Sequence, residues 1–447
     1  MASRLALNRI VVLFAALPVI AYPGDYPALV DAELPSLLAV YKDLHANPEL
    51  SLHEARTSAL LAAELRKAGY TVTDHIGRYA NGSPAFGVAA ILKNGAGPTV
   101  LVRTEMDALP VTEKTGLPYA SHVETKDDSG ATVGVMHACG HDLHMTAFLG
   151  AARTLAQIKD RWHGTLMLIG QPAEERVGGA RAMLADGLYE RFGQPDYCLA
   201  QHDNPEVAAG MVAVVGGPVL SSSDSVDVTI RGLGGHGSRP EATKDPIVAA
   251  AQFVLALQTI VSRQTAPQDP AVVTVGSIHG GTKHNIIPDE VKLQLTTRAF
   301  SEDVRRHTLA AIERTARGVA LMAGIPEDRA PIVSFNPDEG VPVTYNDPTL
   351  AARLKEPLSA ALGSANVLDG KAIMASEDFG LFGLEGHQIP IVMLWLGAAD
   401  PAKLQESRRT GTPLPSLHSS LFYPVPEPAI RAGAIALTAS VLELMAK

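Results

Sequence analysis

From about Asp31 onward, apolar residues recur at two different periods, and the change of period divides the chain. Leu34 to Leu44 and His53 to Gly69 repeat at three- and four-residue spacing, which predicts amphipathic helices. Short continuous apolar runs follow at Pro98 to Arg103, Gly164 to Gly170, Asp196 to Gln201 and Ile389 to Gly397. Such runs predict strands buried on both faces, as in a helix-covered α/β sheet. Thr146 to Ile158, between two of them, reads as a covering helix.

The middle of the chain has another rhythm. Ser225 to Arg231 alternates strictly, with Val226, Val228 and Ile230 on one side. A helix over Asp245 to Val261, a strand over Ala271 to Ile278 and an alternating strand over Val291 to Arg298 come next. A helix over Glu302 to Ala323 and a strand over Pro331 to Phe335 complete a β-α-β-β-α-β order, the ferredoxin-like arrangement. Turn-rich segments at Gly216 to Ser223 and Asn336 to Asp347 flank it. The expected fold is therefore α/β: residues 30–220 and 339–447 form one domain around a mixed sheet. Residues 221–338 form an inserted α+β domain, and there is no internal repeat or low-complexity tract.

A chain of 447 residues exceeds one ordinary core, in keeping with two domains. Its net charge of −10, without a basic run, argues against a nucleic-acid partner. At the start, Arg4 and Arg9 precede a short apolar run, Ile10 to Ala21, ending in a plausible cleavage point. Residues 1–21 thus read as an export signal leading to the periplasm or exterior, with no stable membrane association after cleavage. An uncleaved anchor is the alternative, although the run is shorter than the roughly 20 residues that span a bilayer. Of the two cysteines, Cys139 sits between His137 and His141, a setting for metal ligation rather than a disulfide.

Donor residues recur where the apolar runs end: Asp107 after the first, Glu174 and Glu175 after the second, His202 and Asp203 after the third. Sites in open α/β sheets form at the carboxyl ends of strands, so these segments should converge. On extended backbone Cys139 and His141 would share a face, whereas Glu174 and Glu175 would point apart. That would place one carboxylate on a metal and the other beside the attacking water. A shared thiolate, three histidines, a carboxylate and a shared water give about eight donor positions, enough for two four-coordinate ions. Thiolate and imidazole suit zinc, cobalt or nickel; manganese fits the sulfur less well. Singly, each feature has a plainer reading: a Glu pair is commonly solvated, Asp107 can cap a turn, and His236 in its glycine-rich turn can be an exposed loop residue.

The strings RTEMDALP (Arg103 to Pro110), MHACGHDLHMTAFLGAA (Met136 to Ala152) and GQPAEERVGGARAML (Gly170 to Leu184) resemble the aminoacylase and carboxypeptidase family of di-metal peptidases. The nearest branch is that of hippurate hydrolase and the auxin-conjugate amidohydrolases. The resemblance continues through GLGGHGSRPEATKDP (Gly232 to Pro246), HNIIPDE (His284 to Glu290), SEDFG (Ser376 to Gly380) and LHSSLF (Leu417 to Phe422). It implies a zinc-peptidase-like catalytic domain with a dimerising lid, and Cys139, His141, Glu175, His202 and His418 as metal ligands. It further implies Glu174 as general base, Asp107 as the acid that orients a ligating histidine, and His236 as an oxyanion donor lent to a partner subunit. Asn285 and Arg298 would hold the substrate's carbonyl and carboxylate, while His137, His144 and His284 either support the ligands from behind or are structural. Two departures stand out: Thr104-Glu105 where the family often has Ala-Asp, and His418-Ser-Ser where a proline is common.

The resemblance implies a homodimeric hydrolase of N-acyl or N-aroyl amino acids that uses two divalent ions. A dipeptidase or carboxypeptidase with the same centre is the nearest rival. A non-catalytic exported binding protein would lack a ligand or the base, and none is missing. A phosphodiesterase use of two metals is opposed by Arg298.

Overall fold

The computed structural model describes residues 26–384 and 386–446; residues 1–21, expected to be an export signal, lie outside the described residues. Its main sheet has eight strands among the described residues. In spatial order they are Thr71–Arg78, Pro84–Asn94, Gly164–Gln171, Thr99–Glu105, Tyr197–Ala208, Ile391–Ala399, Val212–Val214 and Val367–Asp369. The third to sixth of these run parallel, and the first two form an antiparallel hairpin on one flank. The sheet is therefore mixed, as expected. Alternation sends Val392, Leu394 and Leu396 to one face, and Ile391, Met393 and Trp395 to the other. Each set enters a separate apolar core, which explains why the run carries no polar residue.

Helices Tyr26–Ala46, His141–Gln157 and Pro426–Met445 fill the first face with Leu37, Tyr41, Phe148 and Ile435. Phe379, Phe382 and Met183 fill the second. Helix Pro426–Met445 is long and apolar enough to cross a membrane, but most of it is buried in this core.

The middle segment forms its own antiparallel sheet in the order Ala271–Gly280, Glu290–Ala299, Ser222–Arg231, Ile332–Phe335. This is the ferredoxin-like strand order. Val226, Val228 and Ile230 pack under helices Pro246–Thr259 and Glu302–Met322 through Phe253, Leu257 and Ile312. Both helices begin at a cap: the Asp245 carboxylate accepts the Ile247 N–H, and the Ser301 hydroxyl accepts the Val304 N–H. The strand Ala271–Gly280 lies at one sheet edge. Beside it, Ile247, Val248, Leu255 and Ile278 are exposed.

Candidate metal centre

The parallel strands deliver their donors to one end of the sheet. Pairing between the Thr99–Glu105 and Tyr197–Ala208 strands stops at Arg103 and Ala200. His202 and Asp203 therefore lie beyond that pairing, still within their own strand and in register with Trp395 and Leu396 of the Ile391–Ala399 strand. Cys139 and His141 do not lie on extended backbone. Cys139 is in a turn, Gly140 is left-handed at φ 71°, and His141 opens a helix that starts five residues before the expected Thr146. A Cβ on Gly140 would sit 2.6 Å from Asp203 Oδ2, so only glycine fits between the two donors. Glu174 and Glu175 likewise occupy a single 3₁₀ turn, entered and left through Ala173 and Val177, both at φ 48°. The turn keeps both carboxylates on the site instead of pointing them apart.

Six residues from four distant segments converge. Cys139 Sγ lies 3.6 Å from His202 Nε2 and 3.3 Å from His418 Nε2. His418 Nε2 is 3.5 Å from Glu175 Oε2, and His141 Nε2 is 3.8 Å from both Glu175 Oε1 and Glu174 Oε2. Bond lengths of about 2.0–2.3 Å in a tetrahedral shell place neighbouring donor atoms roughly 3.3–3.8 Å apart. The observed spacings match that range. Cys139 belongs to two donor triads, one with His141 and His202, the other with Glu175 and His418. His141 Nε2, Glu175 Oε1 and Asp203 Oδ2 are buried without a hydrogen-bond partner. Each such atom costs about 1–3 kcal/mol unless something meets it. The donor set thus fits two divalent cations that share Cys139.

Hydrogen bonds prepare the imidazoles. His141 donates Nδ1–H to the carbonyl of Asp107 at 2.8 Å, and His202 donates Nδ1–H to the carbonyl of Asp203 at 2.9 Å. Both rings consequently present Nε2 to the cluster. The Asp107 carboxylate also faces His141 Nδ1, at 3.5 Å, beside its own closer carbonyl. In addition its Oδ1 and Oδ2 accept the backbone N–H groups of Glu174 and Glu175 at 3.1 and 3.0 Å, with Ser51 Oγ donating at 2.6 Å. Asp107 therefore fixes the turn that carries the two glutamates.

Charge is concentrated here. Burial, then repulsion by Glu377 and Glu175, pushes the Glu174 carboxyl well above the usual range. Burial raises Glu175 to about 7 against the opposing pull of His141. Burial and Glu175 also push up the Cys139 thiol. Acids this closely packed need cationic neighbours. His418, at the left-handed φ of 65°, donates its N–H to Ala138 O at 2.8 Å; its side chain is 55% exposed and marks the open mouth.

Several buried groups support the donors from behind. His144 lies between Glu105 at 3.1 Å and Asp203 at 3.2 Å, which outweigh burial and push it up to about 9. Glu105 thereby gives its departure from the family pattern a definite partner. The fully buried Arg103 binds Glu105, reaches Glu377 at 2.6 Å and Asp378 at 3.2 Å, and bonds Gln171 at 2.8 Å. An arginine closing the run VLVR was the signal for this cluster, because a charge in a doubly buried strand requires paired acids.

The lid residues stand apart from the centre. His236 is exposed, its Nδ1 taken by Ser238, and its strand pairs with the one that follows Asn285. Among the described residues no hydrogen bond or ion pair joins His236 or Asn285 to the donor cluster. Arg298 is half-buried and donates to Ser376 Oγ at 3.0 Å and Met374 O at 3.3 Å, so its guanidinium faces the SEDFG segment.

Thiolate, imidazole and carboxylate donors gathered at parallel strand ends define a metal-dependent hydrolase. The chain belongs to peptidase family M20/M25/M40, whose family model matches residues 101–407, and it is a metal-dependent amidohydrolase. Hippurate hydrolase of Campylobacter jejuni is 39% identical over 341 residues, covering 76% of this chain and 82% of that one. Thermostable carboxypeptidase 2 of Saccharolobus solfataricus is 34% identical over 402 residues, covering 90% and 93%. A dinuclear metal-binding peptidase of the M20 family from Bacillus subtilis superposes with a TM-score of 0.74 at 27% identity, over 93% of this chain and 99% of that structure.

Proposed function

We propose that this amidohydrolase cleaves N-acyl and N-aroyl amino acids, releasing a carboxylic acid and a free amino acid. The observation that carries the reading is Glu174. Its carboxylate is buried and 3.8 Å from His141 Nε2; it groups with His141 and Glu175, and lies outside the Cys139–His141–His202 and Cys139–Glu175–His418 triads. Cys139, His141, His202, Glu175 and His418 would hold two divalent ions, with zinc, cobalt or nickel suiting the thiolate better than manganese. Bound there, the ions would supply Lewis acidity to the scissile carbonyl and acidify the attacking water.

The chain's own groups do the rest. Glu174 takes the proton of the attacking water and hands it to the leaving amine, a duty suited to a carboxyl whose proton affinity is raised. Arg298 holds the substrate's free carboxylate through its guanidinium fork once the substrate displaces the Ser376 contact. Asn285 donates to the acyl oxygen. His236 acts in the site of a second copy, where it stabilises the oxyanion. A homodimer built through residues 221–338 is supported by the exposed apolar side chains beside the unpaired edge of strand Ala271–Gly280. Export is supported by Arg4, Arg9 and the apolar run that follows.

The test is one panel of hippurate-type N-acyl amino acids, their decarboxylated amides and unblocked dipeptides, assayed on metal-loaded protein. N-acyl amino acids should give the highest kcat/KM, and removing the carboxylate should abolish cleavage. Preferential cleavage of dipeptides would instead place the protein with its carboxypeptidase relative.

A further inference from the structure

Residues 51–54, just before helix Ala55–Lys67, press against the turn that carries Glu174 and Glu175. Glu54 is fully buried there. Its Oε1 accepts two backbone N–H groups, from Leu52 at 2.9 Å and from Ala173 at 2.8 Å. Both donors belong to non-glycine residues in the left-handed region, at φ 73° and 48°. Backbone of that kind persists only where its surroundings over-determine it. With the two bonds made by Asp107, the successive N–H groups of Ala173, Glu174 and Glu175 all end on two buried carboxylates.

The other oxygen of Glu54, Oε2, has no hydrogen-bond partner, and neither does the buried hydroxyl of Tyr79. Burial and the neighbouring Asp107 push the Glu54 carboxyl up to about 8. Its contribution lies in where its acceptor oxygen sits, since Oε1 ties Leu52 and Ala173 together.

We propose that Glu54 is a positioning residue for amide hydrolysis: the reach of its side chain sets the Ala173 turn and so aims Glu174 and Glu175. This rests on the reading of Glu174 as the base. Nothing in the sequence singled Glu54 out, because its partner Ala173 is 119 positions away.

Two conservative variants separate reach from charge. Glu54→Gln keeps the length and the acceptor, whereas Glu54→Asp keeps the carboxylate but withdraws it by one methylene. Turnover of the best panel substrate, KM, bound metal after chelator challenge and melting temperature are compared, with Glu174→Gln alongside. Glu54→Gln should stay within about threefold of wild type. Glu54→Asp should lose on the order of 10²-fold in kcat, the scale of a misplacement near 1 Å, with KM nearly constant. It should also release metal to chelator faster, since Glu175 rides on the same turn. If Glu54→Asp does not fold, Glu54→Met, similar in size and without an acceptor, carries the same expectation. The proposal is overturned if Glu54→Gln falls as far as Glu54→Asp, or if Glu54→Asp keeps both its kcat and its metal. An active Glu174→Gln would fault the base assignment instead, and metal retention in Glu54→Asp would then decide the matter.

Discussion

Replacing Glu174 with Gln is expected to collapse turnover while the metal content of the protein stays at the wild-type level. The substitution preserves shape and removes the basic carboxylate that lies 3.8 Å from His141. The two triads that share Cys139 do not include Glu174, so their donors are untouched. The Asp107 bond to the Glu174 backbone also survives, because it involves the N–H and not the side chain. General acid–base assistance is typically worth about 10²–10⁴-fold, and here one group serves both water attack and amine departure. The expected loss in kcat is therefore at least about 10²-fold, with metal unchanged by elemental analysis. A variant that keeps more than about a tenth of wild-type turnover would move the base to another residue.

The second large effect concerns His236. His236→Ala should cost on the order of 10²–10³ in turnover, the usual loss for one oxyanion donor, and leave metal binding alone. Within one chain His236 is exposed and bonded to Ser238, with no link to the donor cluster among the described residues. In the proposed reading, a second copy brings it to the site. Complementation reads this directly. His236→Ala and Glu174→Gln protomers, each nearly inactive, are mixed through a subunit-exchange step. Half the dimers become mixed and carry one intact site, so activity should recover to about a quarter of wild type under two-fold symmetry. Demonstrated exchange without recovery would confine His236 to its own subunit or remove it from catalysis.

The sequence disclosed elements and donors better than it disclosed local geometry. Doubly apolar runs such as IPIVMLWLG announced the parallel strands because both sheet faces are covered. The strict alternation of Val226, Val228 and Ile230 announced a sheet with one covered face. The hairpin Thr71–Arg78 and Pro84–Asn94 escaped notice because its apolar residues are interrupted by Asp74, His75 and Gly87. The core helix Pro426–Met445 carries no legible period because it is buried on nearly all sides, with apolar and small residues around it.

At the site, donor identities followed from residue types and their recurrence near strand ends. Their mutual aim did not. Extended backbone was the wrong inference for both Cys139–His141 and Glu174–Glu175, since left-handed Gly140 and Ala173 turn the chain between and before them. For Gly140 the glycine was a usable cue; for Ala173 there was none, because its conformation is imposed from Glu54, far away in the chain.

The central claim is hydrolysis of an N-acyl amino acid at a centre of two ions sharing Cys139. The most direct measurement is a titration of metal-free protein with zinc or cobalt, following release of glycine from N-benzoylglycine and bound metal together. Activity should rise with occupancy and level off at two ions per chain. Cys139→Ala should fail to hold either ion firmly, because its sulfur belongs to both triads. Full activity at one bound ion, or no glycine released with two bound, would contradict the account.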